Sequence, residues 1–277
     1  MRTIAREHPA RFARALARVA AGWVTARIPR SCTSERFPNA ELAARAAASG
    51  DTGTDVVVCR GEPGSVSRID ARCRDRSSVA GRGAVIAYHL CRGLEAAGVA
   101  LADDIGILVD VREHTRDSSR VSMGNAFAVV GVPLPDEDDP AAFGETYRRA
   151  VRRENALAQL LASLTVRYPL VRLGRRMNAA AEPGGAGKPA AVTISDFSQA
   201  PVLKSLRWLA DPARPAVHAV ASTPMSENHL AVYVTEARGQ LCVSVNFHRS
   251  AFPREVIEAA LQNALDLIEA WCEGSRR

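Results

Sequence analysis

The sequence predicts an α/β fold, a mixed β-sheet with packed helices, and three observations carry that prediction. Short apolar runs of strand length alternate with longer stretches whose apolar residues recur every three to four positions. Near the C-terminus, apolar and polar residues alternate on both sides of a tight turn, as they do in a hairpin. An amphipathic helix closes the chain and gives the hairpin something to bury against.

Taken in order, residues 9–26 place Phe12, Leu16, Val19, Trp23 and Val24 at helical spacing with arginines between them, which predicts one basic amphipathic helix. Pro29, Pro38, Gly50 and Gly53 then punctuate a stretch that reads as linker or surface crossover around the alanine-rich segment 39–49. The expected division is therefore a basic helix and linker over 1–53 and the body over 54–277. Residues 56–59 form a strand. Residues 79–97 form a helix with Val85, Ile86, His89, Leu90 and Leu94 along one side, and Gly98 ends it.

Strands follow at 105–111 and 125–134, separated by a polar surface loop holding His114, Thr115, Asp117, Ser118 and Ser119. Asp136, Glu137, Asp138 and Asp139 precede Pro140, a favourable start for a long helix reaching about residue 163, because negative charge is stabilising at a helix N-terminus. A further helical segment is expected near 165–180, then a glycine-rich linker over 182–188. Its Gly187-Lys188 ending is not a phosphate loop, since Glu182 stands where the first glycine is required and Pro189 where the Ser or Thr would bind magnesium.

Residues 191–195 and 217–222 read as further strands. Leu230, Val232 and Val234, then Leu241, Val243, Val245 and Phe247 after a turn at 238–240, define the core face of the hairpin. Ile257, Leu261, Ala264, Leu265, Ile268 and Trp271 line the C-terminal helix, announced by Pro253.

At 277 residues, 47% hydrophobic and 24% charged, the chain is an ordinary globular protein rather than a disordered or fibrous one. No run approaches the roughly 18 to 20 apolar residues that cross a bilayer. Arg2, Arg6, Glu7 and Pro9 occupy the N-terminus in place of a secretory core, so a cytoplasmic location is expected. The net charge of +6 resides in residues 1–36, with eight arginines against Glu7 and Glu35, while the rest of the chain carries 28 basic and 28 acidic side chains. A basic arm suits an acidic partner, but no nucleic-acid signature accompanies it. Cys32, Cys59, Cys73, Cys91, Cys242 and Cys272 lie too far apart for a zinc site or a redox dithiol and read as small buried hydrophobes.

None of the six histidines sits in a local catalytic motif. His89 lies on the apolar side of its helix, and His229 and His248 flank the hairpin on positions facing away from the Leu-Val row. There is no His-Glu-x-x-His, no Gly-x-Ser-x-Gly and no dinucleotide fingerprint. Alternation does place His248, Asn246 and Ser244 on one hairpin face, a constellation that a polar solvent-facing row explains equally well.

A strand ending Ile107-Leu108-Val109-Asp110-Val111-Arg112, followed by Gly124-Asn125 opening the next, resembles the second lobe of the chloramphenicol acetyltransferase-like superfamily. This group includes nonribosomal peptide condensation domains and polyketide-associated acyltransferases. Val192-Thr193-Ile194-Ser195-Asp196-Phe197 is similar to the family's late strand, and Pro201-Val202-Leu203, the hairpin and the last helix follow in family order, over roughly residues 65–273.

The resemblance implies one lobe of a two-lobe fold and acyl transfer from a coenzyme A or carrier-protein thioester. In the family the other lobe donates a His-His-x-x-x-Asp-Gly loop whose second histidine is the general base. This sequence has no His-His pair and no His-x-x-x-Asp, so no catalytic residue is expected in it. Asp110, Arg112, Gly124, Asn125, Asp196 and Phe197 are implied as structural residues of the lobe. Arg112 matches the arginine that pairs with the aspartate of the histidine loop, although it could instead be exposed or pair with Asp110, Glu113 or Asp117. No bound cofactor or metal is expected. The expected donor is acyl-CoA or an acyl carrier protein, and the expected partner is a complementary acyltransferase lobe, a second copy, or an acyl or peptidyl carrier protein. The reading from a different class is a noncatalytic binding or scaffold protein for a carrier protein or synthase.

Overall fold

The hairpin forms as its alternation requires: β5 (His229–Ala237) and β6 (Gln240–His248) pair antiparallel from Ala231 opposite Asn246 to Ala237 opposite Gln240. The two residues between them, Arg238 and Gly239, have φ of 52° and 77°, the doubly left-handed geometry that matches strand twist in a two-residue turn. A computed structural model describes this chain at residues 38–50, 52–75, 81–110, 127–135, 140–152, 155–156, 186–200 and 217–274.

Four more strands extend the hairpin into a six-stranded mixed sheet. β1 (Thr54–Arg60) lies antiparallel on β6. On the other side, β4 (Ala191–Asp196) runs parallel to β5, β2 (Asp104–Asp110) runs parallel to β4, and β3 (Phe127–Pro133) returns antiparallel on β2. The spatial order is β1-β6-β5-β4-β2-β3.

One face of the sheet is apolar because every second residue is: Val57, Val243, Val245, Phe247, Leu230, Val232, Val234, Val192, Ile194, Ile105 and Ile107 are all buried there. Helices α3 (Arg82–Ala96) and α5 (Arg254–Glu273) cover it, with Ile86, Leu90, Leu94, Ile257, Leu261 and Ile268 in the shared core. These two helices approach so closely at Gly93 that a Cβ there would lie 2.5 Å from the Ala260 carbonyl oxygen and 2.7 Å from Ala264. Gly98, at φ 82°, ends α3 as expected.

Four sequence expectations change. The 39–49 stretch is part of the body: α1 (Ala40–Ala48) buries Leu42 and Ala46. The fully buried Asn39 just before it donates to the Ala100 and Lys188 carbonyls and accepts from the Ala100 N–H. A helix that the sequence reading did not assign, α2 (Ser65–Asp75), packs on α5. Its apolar face is only Val66, Ile69 and Cys73, a thin stripe in a polar segment. The helix after the acidic run, α4 (Pro140–Ala150), stops short of 163 because the chain turns at Val151 and the Asn155 amide donates to the Arg149 carbonyl. Residues 217–222 are extended but are not a strand of the sheet, for reasons that involve the opposite face. The basic helix at 9–26, the polar loop with His114, the acids at 136–139, the helix at 165–180 and Pro201-Val202-Leu203 lie outside the described residues.

Candidate functional site

The sheet face opposite the helices carries the side chains that could do chemistry. Ser244, Asn246 and His248 project there from β6, His229, Ala231, Tyr233 and Thr235 from β5, and Thr193 and Ser195 from β4. The shared face expected for Ser244, Asn246 and His248 is therefore present, but the expected solvent-facing row is not. Ser244 and Asn246 are each 1% exposed, because residues 217–223 lie across them as a strap.

The strap steps along the hairpin two of its own residues at a time. The Thr235 hydroxyl donates to the His218 carbonyl at 3.1 Å, and the Val220 N–H donates to Ser244 Oγ at 3.2 Å. Asn246 Nδ2 donates to the Val220 carbonyl at 3.0 Å, and Asn246 Oδ1 accepts the Ser222 N–H at 2.8 Å. Because the inward backbone groups of this segment are taken by side chains of the sheet below, it does not join the ladder of that sheet, although its sequence reads as a strand. His248 turns away from this cluster, with Nδ1 3.0 Å from the Ser250 hydroxyl.

His229 sits beside the strap's end, and its two ring nitrogens have defined roles. Nδ1 accepts the Met225 N–H at 3.1 Å, so Nε2 carries the proton and donates to Thr193 Oγ1 at 2.9 Å. Burial lowers its pKa below the ordinary imidazole value, which keeps it neutral. Burial also lowers that of His218, against the opposing effect of a hydrogen bond to the Glu236 backbone. His89 is buried in the core with Tyr88 edge-on at 5.2 Å and Trp271 at 6.2 Å.

A second polar cluster closes the end of the sheet where the parallel strands finish. Asp196 Oδ1 accepts both the N–H and the hydroxyl of Ser198, at 2.8 and 2.5 Å. Ser198 Oγ in turn accepts from the buried Arg82, whose guanidinium also meets Asp70 at 3.2 Å and Glu236 at 3.7 Å. This arginine at the start of α3 thus ties α2, β5 and the turn after β4 together. Tyr147 packs into the same corner, where burial and then the Asp196 carboxylate push its phenol upward. Gly83 makes room for it: a Cβ would lie 2.9 Å from the Tyr147 hydroxyl.

Asp196 is thus a turn-binding carboxylate. Phe197 stacks on Tyr233 with ring centroids 6.2 Å apart. Asp110 stands exposed at the end of β2. Arg112, Gly124 and Asn125 lie outside the described residues. The sequence reading missed Arg82, Ser198, Thr193 and the bonding of His229; the Asp196-x-Ser198 spacing, which favours a side-chain-closed turn, was the available signal. Cys91 and Cys242 are buried, while Cys59, Cys73 and Cys272 are half-buried, and all five are free. Burial raises the Cys272 thiol to about 11, which makes it a poor nucleophile. Among the described residues, no cluster of three or more His, Cys, Asp or Glu is placed to hold a metal, and no helix is long and apolar enough to cross a membrane.

No protein-family model and no curated protein sequence matches the chain. Solved structures do. The chain resembles the PapA2 acyl transferase with a TM-score of 0.52 at 14% identity, over 94% of this chain and 55% of that one. It resembles the epimerization domain from the third module of tyrocidine synthetase B with a TM-score of 0.51 at 10% identity, over 94% of this chain and 56% of that one. It also resembles the nonribosomal peptide synthetase FmoA3 in its AMPPNP-bound form, with a TM-score of 0.52 at 16% identity, over 87% of this chain and 25% of that one. The chain therefore spans about half the length of PapA2 and a quarter of FmoA3, and its mixed sheet with packed helices shares the fold of part of each.

Proposed function

We propose that this chain is an acyltransferase-related lobe that takes part in acyl transfer from a coenzyme A or carrier-protein thioester, in a site completed by a complementary lobe. The observation that supports this reading is the fold match to PapA2, which covers nearly all of this chain and about half of that acyl transferase. A general base for acyl transfer must be a neutral imidazole within reach of the acceptor. The histidines that the described residues hold neutral, His218 within the strap and His229 beside it, are both buried. The histidine loop that the family uses is absent from the sequence. In this reading the complementary lobe brings the base, and Arg112 pairs with the aspartate of the incoming histidine loop.

Affinity purification of the tagged chain from its native host, with mass spectrometry, tests the proposal. Recovery of a stoichiometric polypeptide carrying His-His-x-x-x-Asp-Gly, whose release on Arg112→Ala follows from the proposed pairing, supports it. Recovery of a carrier protein with no such polypeptide overturns it in favour of a noncatalytic binding protein. That second reading draws on the commitment of Asn246, Ser244 and Asp196 to backbone hydrogen bonds, which leaves these side chains no chemistry to perform.

A further inference from the structure

We infer that a second copy of this chain docks on the strap over residues 217–223, strap against antiparallel strap about a two-fold axis at Val220. In an extended chain the backbone N–H and C=O of successive residues point to opposite sides. His218, Val220 and Ser222 direct theirs toward the β5–β6 hairpin and bond to Thr235, Ser244 and Asn246. Ala219, Ala221 and Thr223 direct theirs the other way, and among the described residues these groups bond to nothing. The three residues are exposed, as is Val217 at 48%. The strap is thus a strand edge, paired on one side by side chains and open on the other.

Open edges are ordinarily blunted by charge, proline or a bulge, because they template pairing with another chain. Residues 217–226 contain no Asp, Glu, Lys or Arg, and Pro224 falls beyond the open stretch. The edge is also complementary to itself. An antiparallel copy centred on Val220 sets Ala219 opposite Ala221 and Val217 opposite Thr223. These are the residues with open backbone groups, and in this register they form the hydrogen-bonded pairs of the ladder. Val220 falls opposite its own copy in a non-hydrogen-bonded pair, as it must, since its groups are already taken. Small side chains at 219 and 221 admit a close backbone approach, and an isologous contact of this kind closes at two subunits.

This surface is independent of the acyl-transfer reading and needs no activity to test. Sedimentation velocity of the full chain over a concentration series is expected to show a reversible dimer. Ala219→Asp with Ala221→Asp sets like charges opposite each other across the axis, as does Ala219→Lys with Ala221→Lys. Each double variant is expected to weaken self-association by about tenfold or more, with unchanged circular dichroism because both positions are exposed. An equimolar mixture of the two variants is expected to regain the dimer. A wild-type monomer at every concentration, variants that dimerise like the wild type, or a mixture that stays monomeric would overturn the inference. A monomeric wild type that still captures a polypeptide with the histidine loop leaves the complementary-lobe reading standing.

Discussion

On one face of the sheet, Leu230, Val232, Val245 and Phe247 meet the helices α3 and α5 through apolar atoms alone; on the other, Thr235, Ser244 and Asn246 hold a strap by hydrogen bonds to its backbone. The first kind of contact is non-directional and grows with area, about 25 cal/mol for each Å² removed from water. The second kind contributes only about 1 kcal/mol net per bond, yet losing one partner costs more than the bond gains. The difference teaches that the helical face sets the stability of the lobe, while the strap face sets a geometry and can open without unfolding the rest.

Substitutions on the helical face should break the whole lobe. Phe247→Ala empties a fully buried site and is expected to cost about 3 to 5 kcal/mol, read as a shift of the urea midpoint. Gly93→Ala should cost about 2 to 3 kcal/mol in the same assay, because the new methyl meets the Ala260 backbone and α5 must move to admit it. On the strap face, Asn246→Ala removes the partner of the Ser222 N–H and the Val220 carbonyl and is expected to cost about 1 to 3 kcal/mol. Its signature should differ, with proteolysis confined to residues 217–226 while the hairpin stays protected.

The smallest expected effect is of pH. Burial places the pKa of His229 below its unfolded value of 6.5, so the unfolded chain takes up a proton first as pH falls. The stability that neutral His229 contributes is present above pH 6.5 and is lost as pH drops through the lowered folded value. His218 acts in the same sense. Urea midpoints should therefore fall between about pH 7.5 and pH 5, and His229→Gln should flatten part of that fall. An unchanged slope in His229→Gln would show that this imidazole does not sense the transition.

The same contrast explains what the sequence made legible. Period-two alternation in 229–248 and the helical stripe of 257–271 are local signals of apolar burial, and they located the hairpin, its core face and the last helix. Residues 217–222 also read as a strand, but which groups take their hydrogen bonds depends on Ser244 and Asn246, more than twenty residues away. Asn39 binds Ala100 and Lys188 across still longer separations, so a segment that composition marks as linker proves to be a staple. α2 left too thin an apolar stripe to be read among its arginines. Asp196 was singled out by resemblance, while Arg82, which reaches it through Ser198, carries no local sign of burial in a helix's first turn.

Native-state hydrogen exchange of the full chain tests most directly the claim that two faces of one sheet are held in two ways. The amides of Val232 and Val245 should exchange only through global unfolding. Those of Val220 and Ser222 should exchange faster, through a local opening that Asn246→Ala accelerates without changing the β6 amides. Exchange of Val220 and Ser222 at the global rate, or acceleration of the strap and the β6 amides together in Asn246→Ala, would contradict it.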